Sequence, residues 1–304
     1  MGTRRSLAAA ALAGLCLTAA CSSSAAAPAP SPARSRPVAT IVPASRAAAS
    51  PTRAAPPAPV PRVSVSRVRT ADGAVVTVAT FSGPLTYVLH DGSEDPGLAA
   101  GRVRAGPAVR GTERRRLLAA FNGGFKLSQG VGGYEQEGHV AAALRRGLTS
   151  LVIDRSGRAR IGIWGHSVPA PGEAVYSVRQ NLPPLVLHGK PAKAAADWGL
   201  WGSTLGGGEY VARSALGQDA AGHLVYAASM SATPADLASV LAYAGAQIAM
   251  ELDINPEWVQ LDVARRPGGP LRAAIRGQSR PANQFLLGWA RDFIAVLAPA
   301  GAGG

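Results

Sequence analysis

Val211-Ala-Arg-Ser-Ala-Leu-Gly-Gln-Asp-Ala-Ala-Gly-His-Leu-Val-Tyr-Ala-Ala-Ser-Met230 decides the fold class. Val211–Gln218 and His223–Met230 are apolar runs of strand length. Between them, Asp219 can bond its own backbone and Gly222 tolerates positive φ, so the stretch predicts a β-hairpin. Leu148–Ile153 and Ala159–Trp164 flank Asp154-Arg-Ser-Gly157 by the same logic. Downstream, Thr233 is placed to cap a helix, Pro234 suits its first position, Asp236 complements its N-terminal dipole and Gly245 ends it. Leu237, Val240, Leu241 and Ala244 form its buried stripe. Ala246–Ile254 then runs as a mostly apolar strand. Upstream, Val63–Arg69, Val75–Phe81, Leu85–Leu89 and Leu117–Phe121 also read as strands. The expected architecture is α+β: a single strand-rich domain with a mixed sheet and few helices, spanning 63–299, followed by a disordered tail at 300–304.

Charge narrows the function classes. The 304 residues carry a formal net charge of +13, which for a whole fold would suggest a nucleic-acid or polyanion binder. The excess is terminal, however. Residues 1–62 hold 7 basic and no acidic residues, 264–304 hold 6 basic and one acidic, and the body between them has 18 against 17. A globally basic fold is excluded, and no nucleic-acid partner is expected. Hydrophobic residues at 47% and charged ones at 16% exclude a wholly disordered chain. Both cysteines, Cys16 and Cys21, precede the body, which excludes a disulfide, a Cys-ligated zinc and a Cys nucleophile within it.

Arg4-Arg5 followed by the apolar run Ser6–Ala20 has the form of an export signal, too short for a comfortable membrane span. Leu17-Thr-Ala-Ala-Cys21 resembles a bacterial lipobox, which makes 1–21 a lipoprotein-type signal peptide and Cys21 the lipidated residue; an ordinary signal peptide with an incidental cysteine is the alternative. Residues 22–62, built almost wholly from Ala, Pro, Ser, Arg and Val, predict a disordered linker. Acyl chains on Cys21 would hold the domain at the outer face of the cell membrane.

Chemistry concentrates in Gln247-Ile-Ala-Met-Glu251-Leu-Asp253-Ile-Asn255. Strand alternation puts Glu251, Asp253 and Asn255 on one face and Ile248, Met250, Leu252 and Ile254 on the core side. Carboxylates on so apolar a strand must face a cleft, pair with cations or hold a proton, so Asp253 and Glu251 are the candidate catalytic pair; a structural salt bridge is the competing reading. Arg213, the lone cation in a small-residue strand, is either a clamp for phosphate or carboxylate or a surface arginine. Asn122-Gly123-Gly124-Phe125 allows close backbone approach to a ligand and is equally a plain turn signal. Glu135-Gln-Glu137-Gly-His139 lacks the spacing of a metal motif, and neither a P-loop nor a His-Glu-x-x-His pattern is present. No metal or cofactor is expected. Trp198 and Trp201 suit sugar stacking or, by default, the core.

Three segments, taken in order, resemble the phosphodiester glycosidase family: Ala120-Phe-Asn122-Gly-Gly-Phe125, Ala212-Arg213-Ser-Ala-Leu-Gly217, and Ala235 to Ala246 continuing into Glu251-Leu-Asp253. Where the family usually continues Asp-Gly-Gly-Gly-Ser, this chain has Asp253-Ile-Asn-Pro-Glu-Trp258. The resemblance implies an exported hydrolase that cleaves a sugar-1-phosphodiester in cell-envelope glycan. Arg213 would then neutralise the departing phosphate, and Asp253 would be base or oxocarbenium stabiliser. Asn122 and Asn255, with Gly123, would bind substrate, and Glu251 would be either the acid or a support for Asp253. The expected assembly is a monomer. The altered 253–258 loop motivates the alternative, a non-catalytic lipoprotein that binds wall glycan or polyanion.

Overall fold

A computed structural model describes residues 60–97, 103–204 and 207–301. The stretches expected to be a signal peptide ending at Cys21 and, for nearly all its length, a linker lie outside the described residues. Three sheets make up the domain. The seven-stranded sheet has the order β1 (Arg62–Arg69), β2 (Val75–Ser82), β13 (Leu224–Ala232), β12 (Val211–Asp219), β14 (Ala246–Glu251), β10 (Val186–Leu187) and β11 (Lys190–Pro191). A five-stranded sheet runs β16 (Leu271–Ala273), β15 (Leu261–Ala264), β4 (Leu117–Asn122), β17 (Phe293–Leu297) and β3 (Thr86–His90). A second five-stranded sheet runs β6 (His139–Ala142), β5 (Tyr134–Gln136), β9 (Ser177–Gln180), β7 (Thr149–Ile153) and β8 (Ala159–Ile163). The helices are few and, but for one, a single turn or so: α1 (Gly111–Arg116), α2 (Pro234–Tyr243) and α3 (Gln284–Leu287).

The chain is thus strand-rich, and both anticipated hairpins form, as β7–β8 and β12–β13. The anticipated mixed sheet does not form: every pairing between the named strands is antiparallel. The reason lies in the α2 crossover. It carries the chain from β13 to β14, a connection that normally makes parallel neighbours. Here β12 pairs with both strands and lies between them, so β13 and β14 run parallel without touching. The first strand begins at Arg62, one residue before the expected boundary.

α2 starts where its sequence says it should. Thr233 Oγ1 accepts from Asp236 N, and the Asp236 carboxylate accepts in return from Thr233 N, a reciprocal cap with Pro234 in the first turn. Leu237 and Leu241 pack with Trp201 on the small side chains Ala215, Ala227 and Ala249 of the large sheet. The opposite face of that sheet carries Phe81, Leu216, Tyr226 and Met250 into the main core, shared with Phe121, Leu261 and Ile294 of the β4 sheet and Leu151 and Ile161 of the β7 sheet. Phe121 stacks on Phe81 with centroids 5.5 Å apart and meets Tyr226 at 5.1 Å. The two sheets are therefore locked together just where β4 and β14 end, and both ends open toward one cleft.

Candidate active site

β14 leaves its sheet after Glu251, and Ser214 of β12 fixes the departing chain. Ser214 N and Oγ donate to Asp253 O at 2.9 and 3.0 Å, while Asp253 N donates to Ser214 Oγ at 3.1 Å. The Asp253 carboxylate is held as firmly as its backbone. Oδ1 accepts from Ile254 N (2.8 Å) and Asn255 N (3.0 Å), and Oδ2 is paired with Arg291 Nη1. An acid so oriented cannot rotate away from the cleft it borders.

The residues after α3 clamp the Gly-Gly turn at the end of β4. Arg291 Nη2 donates to Gly124 O at 3.0 Å, and Gly123 N donates to Asp292 O at 2.8 Å. Asp292 is also salt-bridged to Arg179 Nε at 2.7 Å, and Arg179 Nη2 donates to Phe125 O. The two glycines are needed for this close approach: a Cβ on Gly123 would overlap the Asp292 carboxylate, and one on Gly124 would lie 2.9 Å from Arg179 Cζ. Gly123→Ala is expected to cost about 1–3 kcal/mol through forced displacement of Asp292, read as a fall in the denaturation midpoint. An unchanged midpoint would show that the carboxylate is not confined there.

Between these elements lies a cleft of about 770 Å³ lined by Phe125, Lys126, Gln129, Val131, residues 202–204, Asp253–Glu257 and Arg291. Asp253 and Asn255 therefore share the cleft, but Ile254, expected on the core side, lines it too, because the chain has left the strand after Glu251 and no longer alternates. Asn122, Arg213 and Glu251 are placed elsewhere. Asn122 has all its hydrogen-bonding capacity filled: Nδ2 donates to Gly123 O and Ser214 Oγ, and Oδ1 accepts from Tyr226 OH and Gln260 N. It ties the β4 sheet to the β12–β13 hairpin. Arg213 and Glu251 are fully buried and bonded to each other, Nη1 to Oε1 at 2.8 Å. Arg213 also donates to Trp201 O (3.0 Å), the residue before the cleft-lining Gly202, so the pair sits behind the cleft wall. Trp201 is core, not a sugar platform. Glu137 bonds the backbone N–H groups of Arg104 and Ala105 rather than converging with His139. Among the described residues no cluster of three or more metal-ligating side chains forms.

Burial sets the electrostatics. It pushes Asp253 up to about 6, against the opposing charge of Arg291 and the two backbone N–H groups. Burial likewise pushes Asp91 up to about 6 and Asp262 to about 7. Glu251 is raised by the same cause, with Arg213 opposing it. Each of these acids binds its proton more tightly folded than unfolded, where carboxylates titrate near ~4. Their contribution to stability is therefore complete below ~4 and is lost as pH rises through 6 to 8. Thermal unfolding is expected to give a higher Tm at pH 5 than at pH 8. A Tm that rises over that interval would contradict these surroundings.

Arg179, Arg291, Asp292 and Ser214 are the site residues that sequence reasoning missed. Arg179 and Asp292 are 113 positions apart, and Asp253 and Arg291 are 38 apart. One signal was present. Arg291-Asp292 immediately precedes Phe293-Ile-Ala-Val-Leu297, a strand buried at every position, and charges at the mouth of such a strand require partners.

The fold and site define a class: an antiparallel, strand-rich domain whose sheet ends present an oriented, buried carboxylate paired with a guanidinium to one cleft. Residues 115–253 match the family model described as phosphodiester glycosidase. The match ends on Asp253 itself. Among solved structures, the zebrafish N-acetylglucosamine-1-phosphodiester alpha-N-acetylglucosaminidase catalytic domain, auto-inhibited by its pro-peptide, is similar with a TM-score of 0.50 and 14% identity, over 81% of this chain and 85% of that one. A hypothetical protein from Synechocystis follows with a TM-score of 0.49 and 15% identity, over 79% of this chain and 62% of that one. No curated protein matches the sequence. The resemblance to the phosphodiester glycosidase family is thus shown on 115–253, and the chain has the phosphodiester glycosidase fold.

Proposed function

We propose that the cleft hydrolyses the bond between a sugar's anomeric carbon and a phosphodiester oxygen in cell-envelope glycan. The observation that carries this reading is the Asp253–Arg291 pair. An acid raised to about 6 by burial is fixed beside a guanidinium, both border a sugar-sized cleft, and the acid is the last residue of the family match. In the reaction the anomeric C–O bond breaks, its electron pair leaves on the phosphate, and water supplies the new hydroxyl. Ionised Asp253 takes the water proton or stabilises the oxocarbenium ion. A phosphate ester leaves readily, so little general-acid help is required. The charge on that phosphate falls to Arg291 and Lys126, which both line the cleft.

Arg213 then acts at one remove: with Glu251 it fixes Trp201 and so the Gly202 wall. Asn122 and Gly123 act from behind the cleft by holding the turn that leads to the lining residue Phe125, and Asn255 positions sugar hydroxyls. Export with a lipid anchor on Cys21, action as a monomer and independence of cofactors complete the proposal. Incubating the full chain with a panel of sugar-1-phosphodiesters is expected to release reducing sugar. Binding of glycan without release from any member would favour the non-catalytic alternative.

A further inference from the structure

Trp258, Arg280 and Trp289 stand at the rim of the cleft and have no part in the reaction described above. Glu257, which lines the cleft, pairs with Arg280 Nη2 at 3.1 Å and accepts from Arg280 Nε on its backbone oxygen at 3.1 Å. The Arg280 guanidinium lies 4.6 Å from the centre of the Trp258 ring and 4.4 Å from that of Trp289. The two indoles are 5.5 Å apart. Trp258 also lies 5.7 Å from the guanidinium of Arg291, so the group is continuous with the cleft floor. Trp289 is pinned, its Nε1–H donating to the Glu94 carboxylate and Arg280 covering its ring. It is nevertheless 42% exposed.

We infer that Trp289, backed by Arg280 and Trp258, is a stacking platform for a neutral sugar residue of the glycan that occupies the cleft, away from the bond that is cut. The apolar C–H face of a sugar ring matches the electron-rich face of an indole, and an indole already fixed loses little conformational freedom on binding. A neutral ligand fits because the Arg280 charge is already paired with the Glu257 carboxylate and its guanidinium is spread over two rings. A folded protein partner fits less well, since one exposed indole and the exposed Leu287 two positions before it fall far below the ~1,200 Å² that a stable interface buries. The inference rests on the cleft being a glycan cleft.

The test is calorimetric titration of the full chain with neutral trisaccharides of glucose, galactose, mannose, rhamnose and N-acetylglucosamine, alongside turnover of a methyl sugar-1-phosphodiester. At least one trisaccharide is expected to bind, Trp289→Ala to weaken it about tenfold, and Trp289→Phe to restore most of the loss. Turnover of the small substrate is expected to stay unchanged in both variants. Trisaccharide binding by no member, or equally tight binding by Trp289→Ala, overturns the platform. So does self-association of the chain that Trp289→Ala abolishes, since the ring would then be a contact between copies. Trp289-dependent binding without any turnover would uphold the platform while refuting the hydrolase reading.

Discussion

Asp253→Asn is expected to fold, less stably than the parent by about 3–5 kcal/mol because buried Arg291 loses its counterion, and to lose about 100- to 10,000-fold in kcat/KM toward a sugar-1-phosphodiester, the range for removing a positioned general base. The amide keeps an oxygen to accept from Ile254 N and Asn255 N, so the loop geometry survives. It cannot take a proton. The parent's kcat/KM is expected to rise with pH through about 6, where burial sets the Asp253 carboxyl, and the variant's residual rate to lack that limb. Steady-state kinetics between pH 4.5 and 8 would check both. Parental activity with an unchanged limb in Asp253→Asn would remove Asp253 from the chemistry. Loss of activity in a variant already unfolded at the assay temperature would instead assign it a structural role.

The second large effect concerns stability. Asp292→Ala is expected to cost about 3–5 kcal/mol, because it leaves the buried Arg179 charge without its counterion. For a domain of this size that corresponds to a Tm lower by about 6–20 °C. Arg179 and Asp292 are both almost fully buried and the pair is close, so solvent does not screen the loss. Adding Arg179→Met to the variant is expected to recover part of the stability, since the stranded charge is then gone. Calorimetry of the two variants would decide. A single substitution as stable as the parent, or a double variant no better than the single, would show that the ion pair does not hold the Gly123–Phe125 turn.

Where the sequence could be read, the determinants were local. The α2 cap lies within four consecutive positions from Thr233, and each hairpin turn carries an Asp and a Gly at the positions its geometry demands. The alternation that set Asp253 and Asn255 apart from Leu252 and Ile254 is a property of one strand. It misled in two respects: Glu251 belongs to the regular strand and reaches Arg213 behind the cleft wall, whereas Asp253 follows the strand's end and reaches Arg291, and Ile254, expected on the core side, lines the cleft with it. The strand pairing depended on β12 inserting between β13 and β14, which no local pattern records. Nor did composition reveal that the basic C-terminal segment is partly internal. Arg291 is buried and Arg280 stacks on two indoles, so both are fixed in the structure rather than simply offered to an anionic partner.

The central claim is that the cleft directs water to the sugar rather than to phosphorus. Hydrolysis of a sugar-1-phosphodiester by the full chain in ¹⁸O-labelled water tests it most directly. The arrangement of Asp253 and Arg291 predicts the label in the released sugar's anomeric hydroxyl, with none in the phosphate product. Label in the phosphate would mean cleavage at phosphorus by a phosphodiesterase and would contradict the account.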